Sequence, residues 1–268
     1  MAYIMEYMTV KEMEEALEKT KTVIIPFGCV EQHGYHLPLS TDIHYATEVV
    51  RRAADRLNAV IAPTIPYTFS GGELMGTVNV SPHVFSLYLS DICSEFARMG
   101  FLNIVIYAGH GGTDNLEVVR SALIMLLRRN IHLRDKVTIS LPECSFSDTC
   151  DKIMEEGVEK DFHAGWIETA LMMYWKPELV RDTVVVDEPE IARMLRTDCD
   201  WYAIVEKDED DKFIIPKVRQ RKEIKVGVMG FPEKATRELG EKISKEMEDG
   251  LVSYIEGLNG KYGGGLGK

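Results

Sequence analysis

Thr22-Val-Ile-Ile-Pro-Phe27 decides how this chain is read. Four of its six residues are β-branched, and apolar and polar positions do not alternate. A strand of that kind is buried on both faces, as in a parallel sheet covered by helices. The stretch Gly28 to Thr41 that follows is too rich in His, Gly and Pro for a regular element. Residues 42–57 then show helical spacing with a basic outer face of Arg51, Arg52 and Arg56. Helices and short apolar runs alternate on both sides of this unit. Upstream, Thr9 with Glu12 makes a capping box for a short helix to Lys19. Downstream, Ala59-Val-Ile-Ala62 is a second strand, and a long loop from Pro63 to Val80 carries Gly71, Gly72 and Gly76. Loops of that length are usually functional or disordered, and the aromatic and glycine content favours function. Ser81-Pro82 opens a helix to Met99, with Ser as N-cap and Pro at the first helical position.

Further on, Leu102-Asn-Ile-Val-Ile-Tyr107 is a third strand, Ala108-Gly-His-Gly-Gly112 a sharp turn and Asn115 to Arg129 a helix. Lys136 to Leu141 is a fourth strand, and Ala164 to Trp175 is a helix apolar on most faces, hence buried. Residues 201–231 read as short strands and turns, Pro232 begins a final helix to Ile255, and the Gly-rich tail 259–268 reads as frayed. This alternation implies an α/β fold with a mainly parallel sheet and helices on both faces. With no repeat and no linker, residues 1–268 are expected to form one domain. The irregular stretches 63–80 and 142–163 then lie at the carboxyl ends of strands, where such sheets bind ligands.

Composition narrows the function. The 268 residues include 31 basic and 43 acidic side chains, a formal net charge of -12. Such acidity disfavours nucleic acid and anionic membranes as partners. No stretch approaches the roughly 18–20 apolar residues of a membrane span. The N-terminal segment is acidic rather than basic-then-apolar, unlike a signal peptide. The five cysteines (Cys29, Cys93, Cys144, Cys150, Cys199) are odd in number and form no CxxC pair, so cytosolic thiols and a cytoplasmic location are expected.

The densest group of metal-ligand side chains runs from Glu31 through His33, His36 and Asp42 to His44. In extended chain, residues two apart share a face, so Glu31 and His33 can point into one cavity. Asp42 follows at a helix start, after a loop able to fold back. His110 sits between glycines just past a buried strand, and His163-Ala-Gly-Trp-Ile-Glu168 opens the buried helix. All three segments can meet at one sheet edge. Imidazoles mixed with carboxylates suit a divalent first-row ion such as zinc or manganese, and iron takes the same donors. One carboxylate can bridge two ions, an arrangement that serves hydrolysis of an unactivated amide.

Pro26-Phe-Gly28, Glu31-Gln-His-Gly34, His36-Leu-Pro-Leu39, Thr41-Asp42 and Gly109-His-Gly-Gly112 together resemble the creatininase (creatinine amidohydrolase) family. Gly76-Thr77, His163-Ala-Gly165 with Glu168-Thr169, Gly227-Val and Pro232-Glu-Lys-Ala-Thr236 extend the likeness over most of the chain. The resemblance implies a three-layer α/β/α sandwich with a mostly parallel central sheet. It also implies a homo-oligomer, a hexamer as a trimer of dimers, and two divalent ions that hydrolyse cyclic or linear amides. It casts Glu31 and His110 as ligands of one ion, His33 as a ligand of the other and Asp42 as the bridge.

Departures from the family bear on the substrate. Creatininases proper carry Tyr and Glu after the turn histidine, the Glu as metal ligand; here Gly111 and Gly112 stand there and border the substrate instead. Glu168 is the candidate replacement carboxylate, as ligand or as acid and base. The Trp-Asp pair that helps hold creatinine falls near Glu159 and Lys160. The resemblance therefore carries hydrolysis of an amide or formamide rather than of creatinine itself. Branches with the glycine turn include a formylamino-pyrimidine deformylase and a peptide-processing enzyme. His163 is the expected proton shuttle, His36 a support for the loop, and Glu73 in the Phe69–Gly76 loop a polar contact to substrate. Other classes carry less: Gly109-His-Gly-Gly112 as a phosphate cradle lacks a nucleotide fingerprint, a vestigial metal-binding oligomer would not need the intact ligand set, and Cys29 has no paired base and reads as a small buried residue.

Overall fold

The computed structural model describes residues 3–142 and 161–263. Five strands, β1 (Tyr3–Ile4), β2 (Thr22–Phe27), β3 (Val60–Ile61), β4 (Asn103–Ala108) and β5 (Thr138–Ser140), form one sheet in the order β1-β3-β2-β4-β5. All its pairings are parallel. Every residue of β2 and β4 is buried, as unalternating apolar runs require.

Side chains leave the central strands alternately towards two cores. Val23, Ile25, Phe27, Ile104 and Ile106 face one cluster with α1 (Val10–Leu17), α3 (Pro82–Met99) and α4 (Thr113–Arg129). Ile24, Val105 and Tyr107 face the other, with α2 (Thr41–Ala53), α6 (Trp166–Trp175) and α8 (Arg237–Tyr262). The result is the three-layer α/β/α sandwich with a parallel central sheet. A short α5 (Ile131–Arg134) precedes β5, and α7 (Pro189–Thr197) leads to an antiparallel hairpin of β6 (Ala203–Glu206) and β7 (Lys217–Gln220).

The expected capping box at Thr9 and the Ser81 cap are both present. Other boundaries shift. The expected 42–57 helix ends at Ala53 and tightens into a 3-10 turn over Ala54–Arg56. Pro232 opens only a 3-10 turn, and α8 starts after the Thr236 cap. The frayed tail is corrected for its first residues: α8 continues to Tyr262, because Asn259 is buried and its side chain accepts from the Thr22 hydroxyl and donates to the Asn58 carbonyl at 3.0 Å. Cys144, Cys150, Glu159 and Lys160, with most of the expected 142–163 loop, lie outside the described residues.

The topology fixes where a ligand can bind. From β2 the chain crosses to β3 on one side, and from β4 to β5 on the other. The carboxyl ends of β2 and β4 therefore flank the switch point, the crevice where open parallel sheets take their ligands. The loop after β3 folds over this end, bridging Phe27 to Ile65 and Val30 to Val78.

Candidate metal centre

Helix α2 enters the crevice very closely. A Cβ on Gly28, just past β2, would lie 2.6 Å from the Asp42 carbonyl carbon, and one on Gly109, just past β4, 2.0 Å from the Asp42 carbonyl oxygen. Only glycine at both strand ends lets the first turn of α2 rest on the backbone, and that seat carries Asp42 into the crevice.

Asp42 is buried, and its two oxygens face different partners. Oδ2 lies 3.2 Å from His110 Nδ1, which is 3.0 Å from Glu31 Oε2. Oδ1 lies 3.2 Å from His33 Nε2, which is 3.5 Å from Glu168 Oε2. The structure thus brings Glu31, His33, Asp42, His110 and Glu168 together as two clusters of donor groups sharing one carboxylate. Two of the groups of side chains able to hold an ion share Asp42 in this way, Glu31, Asp42 and His110 with Cys29, and His33, Asp42 and Glu168, and a third, Glu31, His33 and His163, links the two sides. His33 Nε2 is buried and faces carboxylate oxygens of Asp42 and Glu168, surroundings that suit a shared cation. The donor set therefore fits divalent ions.

Neighbouring groups orient these ligands. Ser70 donates to Glu31 Oε1 at 2.6 Å, leaving Oε2 for the site, and His33 Nδ1 donates to the Glu31 carbonyl at 3.1 Å, leaving Nε2 for it. Asp161 accepts from the backbone of Trp166 at 2.9 Å and Ile167 at 2.8 Å, which starts α6 two residues later than expected and puts Glu168 in its first turn. Ala164 takes a left-handed φ of 56°, unusual for a residue with a Cβ, between His163 and Glu168. Strain of this kind gathers at functional sites.

His163 donates from Nε2 to the Gln32 carbonyl at 2.6 Å and turns Nδ1 to within 4.0 Å of Glu31 Oε2. His36 instead meets Thr169 Oγ1 at 3.1 Å and braces its loop against α6. Glu73 does not enter the cavity: it is exposed, and its carboxylate accepts from the backbone of Gln220 at 3.4 Å. In that loop the alternate residues Ser70, Gly72 and Leu74 line the cavity. The role of Ser70 carried no sequence signal, since a loop serine has no periodicity to betray it. Gly111 and Gly112 both border the cavity, and a Cβ at Gly112 would lie 2.5 Å from His110 Nε2. His110 therefore takes its present position beside a residue without a Cβ.

Charges in the site are strongly coupled. Burial opposes ionisation of Asp42, but His33 and His110 hold its carboxyl well below the usual range. Burial likewise opposes ionisation of Glu31, yet His110 and His163 pull it down to about 2. Burial would neutralise His33 and His110, but Asp42 and Glu168 raise the first, and Glu31 the second, well above the ordinary imidazole value. At neutral pH, then, protons on His33 and His110 balance the carboxylates. A cation must expel them, so its uptake releases protons and its affinity falls as pH drops. We expect about a tenfold loss of affinity per pH unit for each proton displaced. Calorimetric zinc titrations in buffers of differing ionisation enthalpy check this: at least two protons released per chain are expected, one from each imidazole, and none released contradicts it.

The cavity above the ligands is about 300 Å³ in volume, walled by Tyr45, Leu74, Phe162, Ile167, Ile224 and Met229. That is the lower end of the size range of small-molecule sites. Residues 6–255 match the family model Creatininase, described as creatinine amidohydrolase. The creatinine amidohydrolase of Pseudomonas putida is 28% identical over 198 residues, covering 68% of this chain and 75% of the relative. A mycofactocin precursor peptide peptidase of Mycolicibacterium smegmatis is 29% identical over 87% of this chain and 84% of its own length. A 3-dehydro-scyllo-inosose hydrolase of Thermotoga maritima is 27% identical over 94% and 80%. A solved structure described as "Creatininase Mn" superposes with a TM-score of 0.75 at 22% identity, covering 98% of this chain and 99% of that one. A mutant creatininase of "Zn-Zn type" does so with 0.73 at 22% over the same shares. The family model, the relatives and the sandwich with its ligand-bearing switch point agree: this chain belongs to the creatininase family.

Proposed function

We propose that the protein hydrolyses a carbon–nitrogen amide bond, cyclic or linear, with two divalent ions, zinc or manganese, held one on each side of Asp42. The observation that carries this reading is the division of Asp42: Oδ2 faces Glu31 and His110, Oδ1 faces His33 and Glu168. In the proposal Glu31, His110 and Asp42 hold the first ion, and His33, Glu168 and Asp42 the second. Bound there, the ions would polarise the scissile carbonyl and acidify a water.

The chain's own residues supply the rest. Burial, then the charge of nearby His33, holds His163 below the ordinary imidazole value, so it is neutral and able to accept a proton at neutral pH. The Gln32 carbonyl fixes its tautomer with the proton on Nε2, so Nδ1, turned towards the ligands, takes the proton from water and returns it to the leaving amine. Glu168, at the rim of the same cavity, combines ligation with a hold on the Ala164 amide at 2.7 Å. The apolar walls exclude bulk water from the reacting carbonyl.

The described lining contains no lysine or arginine. A neutral amide therefore fits better than the phosphate of a formylamino-pyrimidine nucleotide. The proposal includes one domain over residues 1–268, the homo-oligomer that the family resemblance implies, a hexamer, and a cytoplasmic setting. Its experiment is a hydrolysis screen of metal-loaded protein against creatinine, a formylamino-pyrimidine nucleotide and short peptides, beside chelated protein. Amine release only by loaded protein is expected, with His163→Asn lowering kcat by about 10²–10⁴-fold while both ions stay bound. Equal turnover after chelation would exclude the metal route.

A further inference from the structure

We propose that the Cys29 sulfur is a further ligand of the first ion, so that the two metal positions differ in kind. One holds a thiolate beside oxygen and nitrogen donors, and the other only oxygen and nitrogen. This inference rests on the two-ion reading above.

Cys29, Glu31 and His33 are spaced two apart along an extended segment, so the period that turns Glu31 and His33 inward turns Cys29 inward as well. Its side chain is fully buried. Sγ lies 2.9 Å from Asp42 Oδ2 and 3.6 Å from Glu31 Oε2. His110 Nδ1 lies 3.0 Å from the same Glu31 oxygen and 3.2 Å from the same Asp42 oxygen. All four donor atoms fall within 4.8 Å of one another. An ion with bonds of about 2.0–2.3 Å to tetrahedral donors places them about 3.3–3.7 Å apart. Four of the six edges measure 2.9 to 3.6 Å, at or somewhat below those of such a cage, and the other two lie within 4.8 Å. Without an ion the thiol is placed to donate to these carboxylate oxygens, contacts that turn the sulfur towards the same point as the other donors, and the second ligand set, His33, Asp42 and Glu168, contains no sulfur.

The binding step balances without redox chemistry. The S–H bond breaks, the proton leaves to solvent, and the sulfur lone pair forms the bond to the cation. Thiolate selects zinc over harder ions such as manganese. The first position is therefore a zinc position, and manganese, when present, occupies the second.

Cobalt reports this directly. Metal-free protein is reloaded with cobalt(II), its metal content is counted, and the near-ultraviolet spectrum is recorded for the native chain, Cys29→Ser and Cys199→Ser. Two cobalt ions per chain with a sulfur-to-cobalt charge-transfer band are expected for the native chain and for Cys199→Ser. Cys29→Ser should retain cobalt, lack the band, and bind zinc at its tighter position at least about tenfold more weakly. Two bound ions with no band, or a band that survives Cys29→Ser or disappears with Cys199→Ser, would overturn the sulfur ligand and leave the two-ion reading standing. A chain that binds no cobalt would overturn both.

Discussion

Asp42→Ala is expected to empty both metal positions and to stop hydrolysis, although it removes a single side chain. Each oxygen of Asp42 serves a different ligand set, so neither set is complete without it. Electrostatic stabilisation by the ions is worth several kcal/mol, and about 4 kcal/mol corresponds to about a thousandfold in rate. Turnover should therefore fall by at least that factor, and metal analysis should find less than one ion per chain. Glu168→Gln supplies the contrast, because Glu168 belongs to the second set alone. It should keep the first ion and lose the second. If Asp42→Ala keeps two ions, the carboxylate is not shared; if Glu168→Gln keeps both with full activity, Glu168 is not the replacement ligand.

Gly109→Ala should be the most disruptive single methyl group in the crevice. Its Cβ would sit 2.0 Å from the Asp42 carbonyl oxygen and 2.9 Å from the Ala46 Cβ, both on the first turns of α2. Backbone cannot swing aside as a side chain can, so α2 must move or β4 must bend. Overpacking typically costs about 1–3 kcal/mol and occasionally more, and a contact this short on backbone belongs at or above the upper end. Movement of α2 also carries Asp42 away from His33 and His110, so zinc affinity should fall at least about tenfold. Gly111→Ala is the control, since nothing lies within 4 Å of a Cβ there. Urea unfolding with zinc titration checks both. A loss below about 1 kcal/mol for Gly109→Ala, with unchanged zinc affinity, would show that the seat of α2 is not what places Asp42.

The central strands and the long helices were legible because their signals are local. β2 and β4 are unbroken apolar runs, and α3 announces itself with Ser81-Pro82. β1 was not legible: two residues pair with β3 only because the rest of the sheet is already there. Helix α7, with Pro189 at its start and buried Ala192 and Leu195, carries a readable helical pattern that the reading passed over. The tail was misjudged on composition, since glycines near the end suggest fraying while the bonds that hold Asn259 come from Thr22 and Asn58, distant in sequence.

The site divides the same way. Glu31 and His33 follow from alternation along an extended segment, and the same alternation turns Cys29 inward. The convergence of Asp42 depends on two glycine contacts between separate elements, which no local pattern encodes. Glu73 lies outside the cavity because alternation in its loop turns Ser70, Gly72 and Leu74 inward.

The most direct measurement is anomalous scattering at the zinc edge from crystals of the zinc-loaded protein. Two peaks about 3.5–4 Å apart, one beside Asp42 Oδ2 with Glu31 and His110 and one beside Oδ1 with His33 and Glu168, are expected. A single peak, or peaks away from Asp42 such as at the Asp198, Cys199 and Asp200 group, would contradict the account.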